Sequence, residues 1–374
     1  MRVAQQRVRI SQPIFGALEE EALLRVFRSG MWAGGAEVAA LENEASSVLG
    51  VRHAIAVSSG TSALEAALIG LGIGAGDEVI TSAFSFIATA EAIVRVGASP
   101  IFADIEPDTL NLSSEAVDAL ITPRTVAILP VHLYGRPCDM TALGILAERH
   151  GLAIVEDACQ AIGASFRSRQ TGSFGVGCFS FYGSKNITCG EGGMVTTNDD
   201  AIAIRIRRLR DHGTDGIAYR HLEVGTNWRM TDLQASLLRV QLTRLGAITT
   251  RRRDNAAYYH EQLATTPLRL PPCNDNDYQS VFHQFTIGVG DNKRDAVKDH
   301  LDTAGIEARI YYPTAIPEAP YLRNLGLKAG EHELPVSYRA AREVLSIPVH
   351  PGLGDSELGV VVEAVRDATH RLLI

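Results

Sequence analysis

Lysine is scarce in this sequence. Of 35 basic residues only four are lysine, namely Lys185, Lys293, Lys298 and Lys328, and the first 292 residues hold Lys185 alone. Positive balance is missing too. The net charge is −8 over 374 residues, so no global field draws in nucleic acid or an anionic membrane surface, and neither is expected as a partner. No apolar run reaches the length that spans a bilayer. The opening MRVAQQRVRISQP has no apolar core of the signal-peptide kind, so a cytoplasmic protein is expected. The cysteines (Cys138, Cys159, Cys178, Cys189 and Cys273) are odd in number and form no CxxC pair. That argues against a disulfide framework and against a zinc site, and no metal is expected. Neither GxxxxGKS nor a GxGxxG after the first strand is present, which argues against nucleotide P-loops and dinucleotide folds. Internal repeats and low-complexity tracts are absent as well.

An arginine-biased genome accounts for the scarcity of lysine but not for the one retained between FSFYGS and NIT. Arginine serves surface charge and ion pairs, yet it cannot lose its proton to become an amine nucleophile. Chemistry that needs a primary amine must keep lysine.

Short apolar runs rich in β-formers alternate with helical patterns over the first 245 residues. Candidate strands are HAIAV from His53, EVIT from Glu78, PIFA from Pro100, VAILPV from Val126 and LAIVE from Leu152. Two more close together lie at Cys178–Tyr182 and Met194–Thr197. Helical stretches fall at residues 87–96, 113–120 and 140–150, with two more from about Thr231 to Leu245 and Thr249 to Leu263. This pattern predicts an α/β fold, a mostly parallel sheet covered by helices on both faces, followed by a smaller α+β unit. The stretch TTPLRLPP, followed by NDND, is a boundary candidate. The expected division is a large domain over residues 1–245, with an N-terminal arm, and a small one over 246–374.

Three segments carry chemistry. Ser58-Ser59-Gly60-Thr61-Ser62, between a strand and a helix, is either an ordinary N-cap or an anion site built from free N–H groups and the positive helix end. Asp157 follows a buried strand at the edge where open α/β sheets bind ligands, or it caps the next helix. Lys185 follows a strand and a glycine turn, where stiff, partly desolvated placement lowers an amine's pKa. Together they fit a pyridoxal phosphate site. The phosphate takes the helix end, the aldehyde takes the amine, and the carboxylate keeps the pyridine nitrogen protonated so that the ring acts as an electron sink.

The chain resembles the DegT/StrS family of sugar aminotransferases, fold-type I pyridoxal phosphate enzymes. The likeness runs from RSGMWAGGAEVAALE through VSSGTSALEAAL, TSAFSFIATAEAI, VHLYGRPCDM, VEDACQAIGA, FSFYGSKNITCGEGG and GTNWRMTDLQAS to LSIPVHPGL. It implies Lys185 as the Schiff-base lysine, Asp157 as the partner of the pyridine nitrogen, Gln160 beside the phenolic oxygen and Phe86 stacked on the ring. It also implies that Gly60, Thr61, Ser62 and Ser180 form the phosphate site. Asn227 would reach a partner subunit's phosphate in a homodimer with composite active sites. Tyr311 and Tyr312 resemble the substrate mouth, although an aromatic hinge patch fits them equally. Phe86 taken alone reads as core, and His132 as a buried, hydrogen-bonded histidine. The spacing of Asp157 and Gln160 predicts a helical turn that puts both on one face.

The implied activity is a pyridoxal 5'-phosphate-dependent transamination from L-glutamate or L-glutamine to a keto-sugar, most simply a nucleotide-linked one. A cyclitol ketone is the alternative acceptor. Some members carry histidine at the lysine position and deoxygenate instead, so Lys185 points to transamination. Ile162 stands where several members have histidine, so no amination position is carried over. A non-catalytic ligand-binding regulator would not need Lys185, Asp157 and Gln160 together.

Overall fold

The computed structural model describes residues 7–327 and 329–373, so Lys328 lies outside the described residues. Seven strands form the central sheet, with β1 (His53–Val57), β2 (Glu78–Ser82), β3 (Ser99–Ala103), β4 (Thr125–Leu129) and β5 (Ala153–Asp157) first in the chain. A short hairpin, β6 (Ser165–Phe166) and β7 (Arg169–Gln170), precedes β8 (Val176–Ser180) and β9 (Gly193–Thr197). The order across the sheet is β1-β9-β8-β5-β4-β2-β3. Only β9 runs against its neighbours; the other pairings are parallel. These strands are short and nearly all buried, as expected when helices cover both faces. Because β1, β5 and β8 point the same way, Ser59, Asp157 and Lys185 all emerge at one edge of the sheet.

Helices α1 (Ala17–Ser29) and α2 (Ala36–Leu49) precede the sheet, and α3 (Gly60–Gly70) and α4 (Ala88–Arg95) follow β1 and β2. The next are α5 (Ser114–Asp118), shorter than its pattern suggested, α6 (Met140–His150), α7 (Asp200–Arg210), α8 (Asp232–Thr243) and α9 (Leu245–Leu263). Sequence periodicity alone did not single out α1 and α2. The apolar face of α1 stays largely in solvent, with Phe15 just before it and Leu18, Phe27 and then Met31 all exposed. Helix α9 begins at Leu245 rather than near Thr249. Leu245 and Ile248 are buried against Phe181, Leu238 and Leu242, and that packing rewards helix through Gly246.

A second core gathers Ala256, Tyr259 and Leu263 of α9 with β11 (Phe285–Gly288), β12 (Val344–Ile347) and α13 (Asp355–Leu372). The paired β11 and β12 are antiparallel, and β10 (Tyr278–Gln279) adds to β6. Helices α10 (Arg294–Thr303), α11 (Pro320–Asn324) and α12 (Pro335–Glu343) complete the chain. The exchange between cores falls inside α9, not at the proline-rich stretch. Leu268 of that stretch is buried in the second core, and Arg269 pairs with Gly288 through both backbone hydrogen bonds. The N-terminal arm also joins this second core, where Val8 is buried and its N–H donates to Gly305.

Candidate active site

The first turn of α3 is closed by a reciprocal cap. Ser59 Oγ accepts the Ser62 N–H at 3.1 Å, and Ser62 Oγ accepts the Ser59 N–H at 2.9 Å. This leaves the N–H groups of Gly60 and Thr61 at the open helix end, where no intrahelical acceptor exists. Gly60 has to be glycine, because a Cβ there would sit 2.7 Å from Ser180 Cβ and 3.0 Å from Cys159 Sγ. The bare helix end, with Thr61 and Ser180 beside it, is a cradle suited to an anion. Ser62 does not line the cavity. Its hydroxyl is spent on the cap.

The two acids at the end of β5 face opposite ways, as pleating requires. Glu156 is fully buried and accepts from the N–H groups of Gly172, Phe174 and Gly175 and from His132 Nε2 at 3.0 Å. His132 Nδ1 accepts the Cys138 N–H, which fixes the neutral Nε2–H tautomer, so His132 is a structural histidine outside the cavity. Asp157 faces the cavity. Its Oδ2 accepts from the Thr89 hydroxyl at 2.8 Å, and its Oδ1 from the Cys159 N–H at 3.2 Å.

Lys185 sits on the turn after β8, with its N–H bonded to Tyr182 O at 2.9 Å. Burial holds its amine below the usual lysine range, partly offset by attraction to Cys159 and Asp157. Across from it, His283 is pinned through Nδ1 to Asn186 Oδ1 at 3.0 Å. Burial, with Lys185 and Arg252 nearby, keeps this imidazole neutral.

Asp157 and Gln160 do share one face, but through a tight turn rather than a helix. Gln160 Oε1 accepts the Tyr134 N–H at 2.8 Å, and its Nε2 donates to Tyr312 Oη at 2.8 Å. Both tyrosines have left-handed backbones, with φ +54° at Tyr134 and +67° at Tyr312. Their rings stack 6.1 Å apart, so the strained turns are held by packing on both sides. Phe86 is 58 % exposed. It is therefore not core, and its ring faces a cavity of about 460 Å³ that Gly60, Thr61, Asp157, Gln160, Ser180 and Lys185 also line. Tyr311 and Tyr312 close one side of that cavity.

A family model described as the DegT/DnrJ/EryC1/StrS aminotransferase family matches residues 13–366. The chain belongs to this family. It is an aminotransferase. It is 41 % identical to the UDP-N-acetyl-3-dehydro-alpha-D-glucosamine 3-aminotransferase of Acidithiobacillus ferrooxidans, covering 95 % of this chain and 96 % of that one. The crystal structure of Streptomyces venezuelae DesV superposes with a TM-score of 0.90 at 41 % identity, covering 94 % of each chain. The pyridoxal phosphate form of a sugar aminotransferase from Streptococcus pneumoniae superposes with a TM-score of 0.93 at 27 % identity, covering 98 % and 100 %.

Within this aminotransferase, Asn227 is exposed and does not line its own chain's cavity; it forms an isolated bridge with Asp211. Sequence reasoning did not find Thr89, Cys159, His283 or Gln284. The last two come from the C-terminal third of the chain. Val281 N–H bonds Gly135 O at 3.0 Å and carries them to the cavity, a contact without local signature. Thr89 had a signal, since AFSFIATA places it about one helical turn after Phe86.

Proposed function

We propose that this aminotransferase depends on pyridoxal 5'-phosphate and moves an amino group from L-glutamate or L-glutamine to a nucleotide-linked keto-sugar. The observation that carries the reading is the meeting of a desolvated Lys185 and a buried Asp157 in one cavity with the bare end of α3. The anion cradle, the amine and the carboxylate fit the three polar ends of the cofactor. The A. ferrooxidans relative, by its name, acts on a UDP-linked sugar, and that supports the acceptor class.

Pyridoxal phosphate, when bound, supplies an aldehyde for amines and a ring that takes up a carbanion's electron pair. Gly60, Thr61 and Ser180 would hold its phosphate, Asp157 its pyridine N–H, and Phe86 its ring face. Gln160 keeps one amide hydrogen beyond its bond to Tyr312 for the phenolic oxygen. Lys185 Nζ, its pKa lowered by burial, would be the base that takes the proton from the donor's Cα. Tyr311 and Tyr312 shape the mouth through which the acceptor enters.

Residues 1–245 are read as the cofactor-holding domain and 246–374 as the smaller one, supported by the two cores. The five cysteines are all free thiols, which supports a cytoplasmic setting. Incubation with glutamate or glutamine and a panel of keto-sugar nucleotides and cyclitol ketones, read by product mass, is expected to give an amino-sugar nucleotide. Amination of cyclitol ketones only would overturn the acceptor class.

The exposed apolar face of α1 and an exposed Asn227 that does not line its own chain's cavity support a homodimer with composite sites. Lys185→Ala and Asn227→Ala dimers would each carry two damaged sites, whereas a mixed dimer carries both defects in one site and leaves the other intact. Co-refolding equal amounts makes about half the dimers mixed and is expected to restore about a quarter of the wild-type sites. No recovery in verified mixed dimers would place Asn227 within its own site.

A further inference from the structure

The Asp157 carboxylate is held from a second element. Thr89, in the first turn of α4, donates its hydroxyl to Asp157 Oδ2 at 2.8 Å across 68 residues of sequence. A helical threonine commonly turns its hydroxyl back onto the carbonyl four residues earlier; Thr89 reaches out of its helix instead. Thr89 is 1 % exposed and Asp157 6 %, so in the intact protein the bond is shielded from competing water. An ionised carboxylate only accepts, which fixes the direction of the Thr89 proton. The Thr89 oxygen is then left as an acceptor 3.0 Å from the buried Ser85 hydroxyl, whose one proton it shares with the Phe86 carbonyl at 3.1 Å. The second carboxylate oxygen is occupied by the Cys159 N–H.

We propose that Thr89 is a positioning residue for the reaction, fixing the Asp157 carboxylate so that its remaining lone pairs face the cavity. The inference rests on the functional reading above, in which those lone pairs meet the pyridine N–H. The β-branch of threonine restricts χ1 and keeps the hydroxyl on target. Valine has nearly the same shape but no donor, so it would leave a buried carboxylate oxygen short of a partner. The same short segment carries Phe86, so one stretch of chain would serve both the cofactor's ring and, through Asp157, its pyridine nitrogen.

Four measurements test this. Thr89→Val is expected to weaken pyridoxal phosphate binding, titrated into cofactor-free protein, by about tenfold to a hundredfold, the range for a hydrogen bond to a charged group. Thr89→Ser is expected to restore affinity to within a few-fold of wild type, a rescue that shape alone does not predict. In an Asp157→Ala background, Thr89→Val is expected to change affinity no further, because the partner is already gone. Additive losses, or wild-type affinity in Thr89→Val, would overturn the proposal; Thr89→Ala serves the same cycle if the valine variant does not fold. The coupling is also read without cofactor, as non-additive shifts of the denaturant midpoint for the two single variants and the double variant. If wild type bound no pyridoxal phosphate, the functional reading would fall, and this cofactor-free cycle alone would decide whether Thr89 holds Asp157.

Discussion

Lys185→Ala is expected to lower turnover by several orders of magnitude while leaving the fold intact. In the proposed mechanism the side chain is both the amine that the cofactor needs and the base that moves the proton, so one truncation would remove two functions that act as a unit. Structure gives the second half of the expectation. Burial holds the lysine pKa down in the folded protein, so the charged form is disfavoured by folding. Below the unfolded-state pKa the side chain therefore works against stability, and removing it is expected to leave the melting temperature unchanged or higher at neutral pH. Pyridoxal phosphate should still bind weakly through the α3 cradle and Asp157, but without a visible band that borohydride bleaches. Near-native turnover with glutamate would sink the assignment.

For Asp157→Ala the expected loss is also orders of magnitude in the donor half-reaction, with a different signature. On the proposed reading, removing the carboxylate would take the charge-assisted partner from the pyridine nitrogen, and a ring less often protonated is a poorer electron sink. It also leaves the Thr89 hydroxyl and the Cys159 N–H facing a gap at the cavity floor, which water entering from the cavity can fill. Stability is therefore expected to change little. Lys185 remains, so the borohydride-sensitive band should survive in this variant, unlike in Lys185→Ala. Single-turnover amination at the wild-type rate would remove Asp157 from the mechanism.

These two residues were legible because each sits at a strand end with a local reason to be there. A lone lysine in an arginine-rich chain marks itself, and an acid after LAIVE occupies the ligand edge of a parallel sheet. Gln160 was legible too, although the turn that aims it is not the helix its spacing suggested. Phe86 read as core because an aromatic among FSFIATA has no local reason to be exposed. Only the cavity opposite it explains its exposure. Ser62 shows the reverse case. Its place in the helix start suggested a ligand contact, yet Ser59 claims its hydroxyl for the cap.

Sequence alone determined the alternation of buried strands and helices, and the amine, acid and helix end that meet at one edge of the sheet. Each depends on patterns within a few residues, set by backbone geometry and by what a side chain can donate, accept or ionise. Tertiary structure decided the rest. It passed α9 from one core to the other, seated the N-terminal arm on the second core, brought His283 to the cavity through Gly135, and turned Thr89 onto Asp157. Those outcomes follow from close packing between elements far apart in the chain, where a single approach such as Gly60 against Ser180 depends on both partners at once.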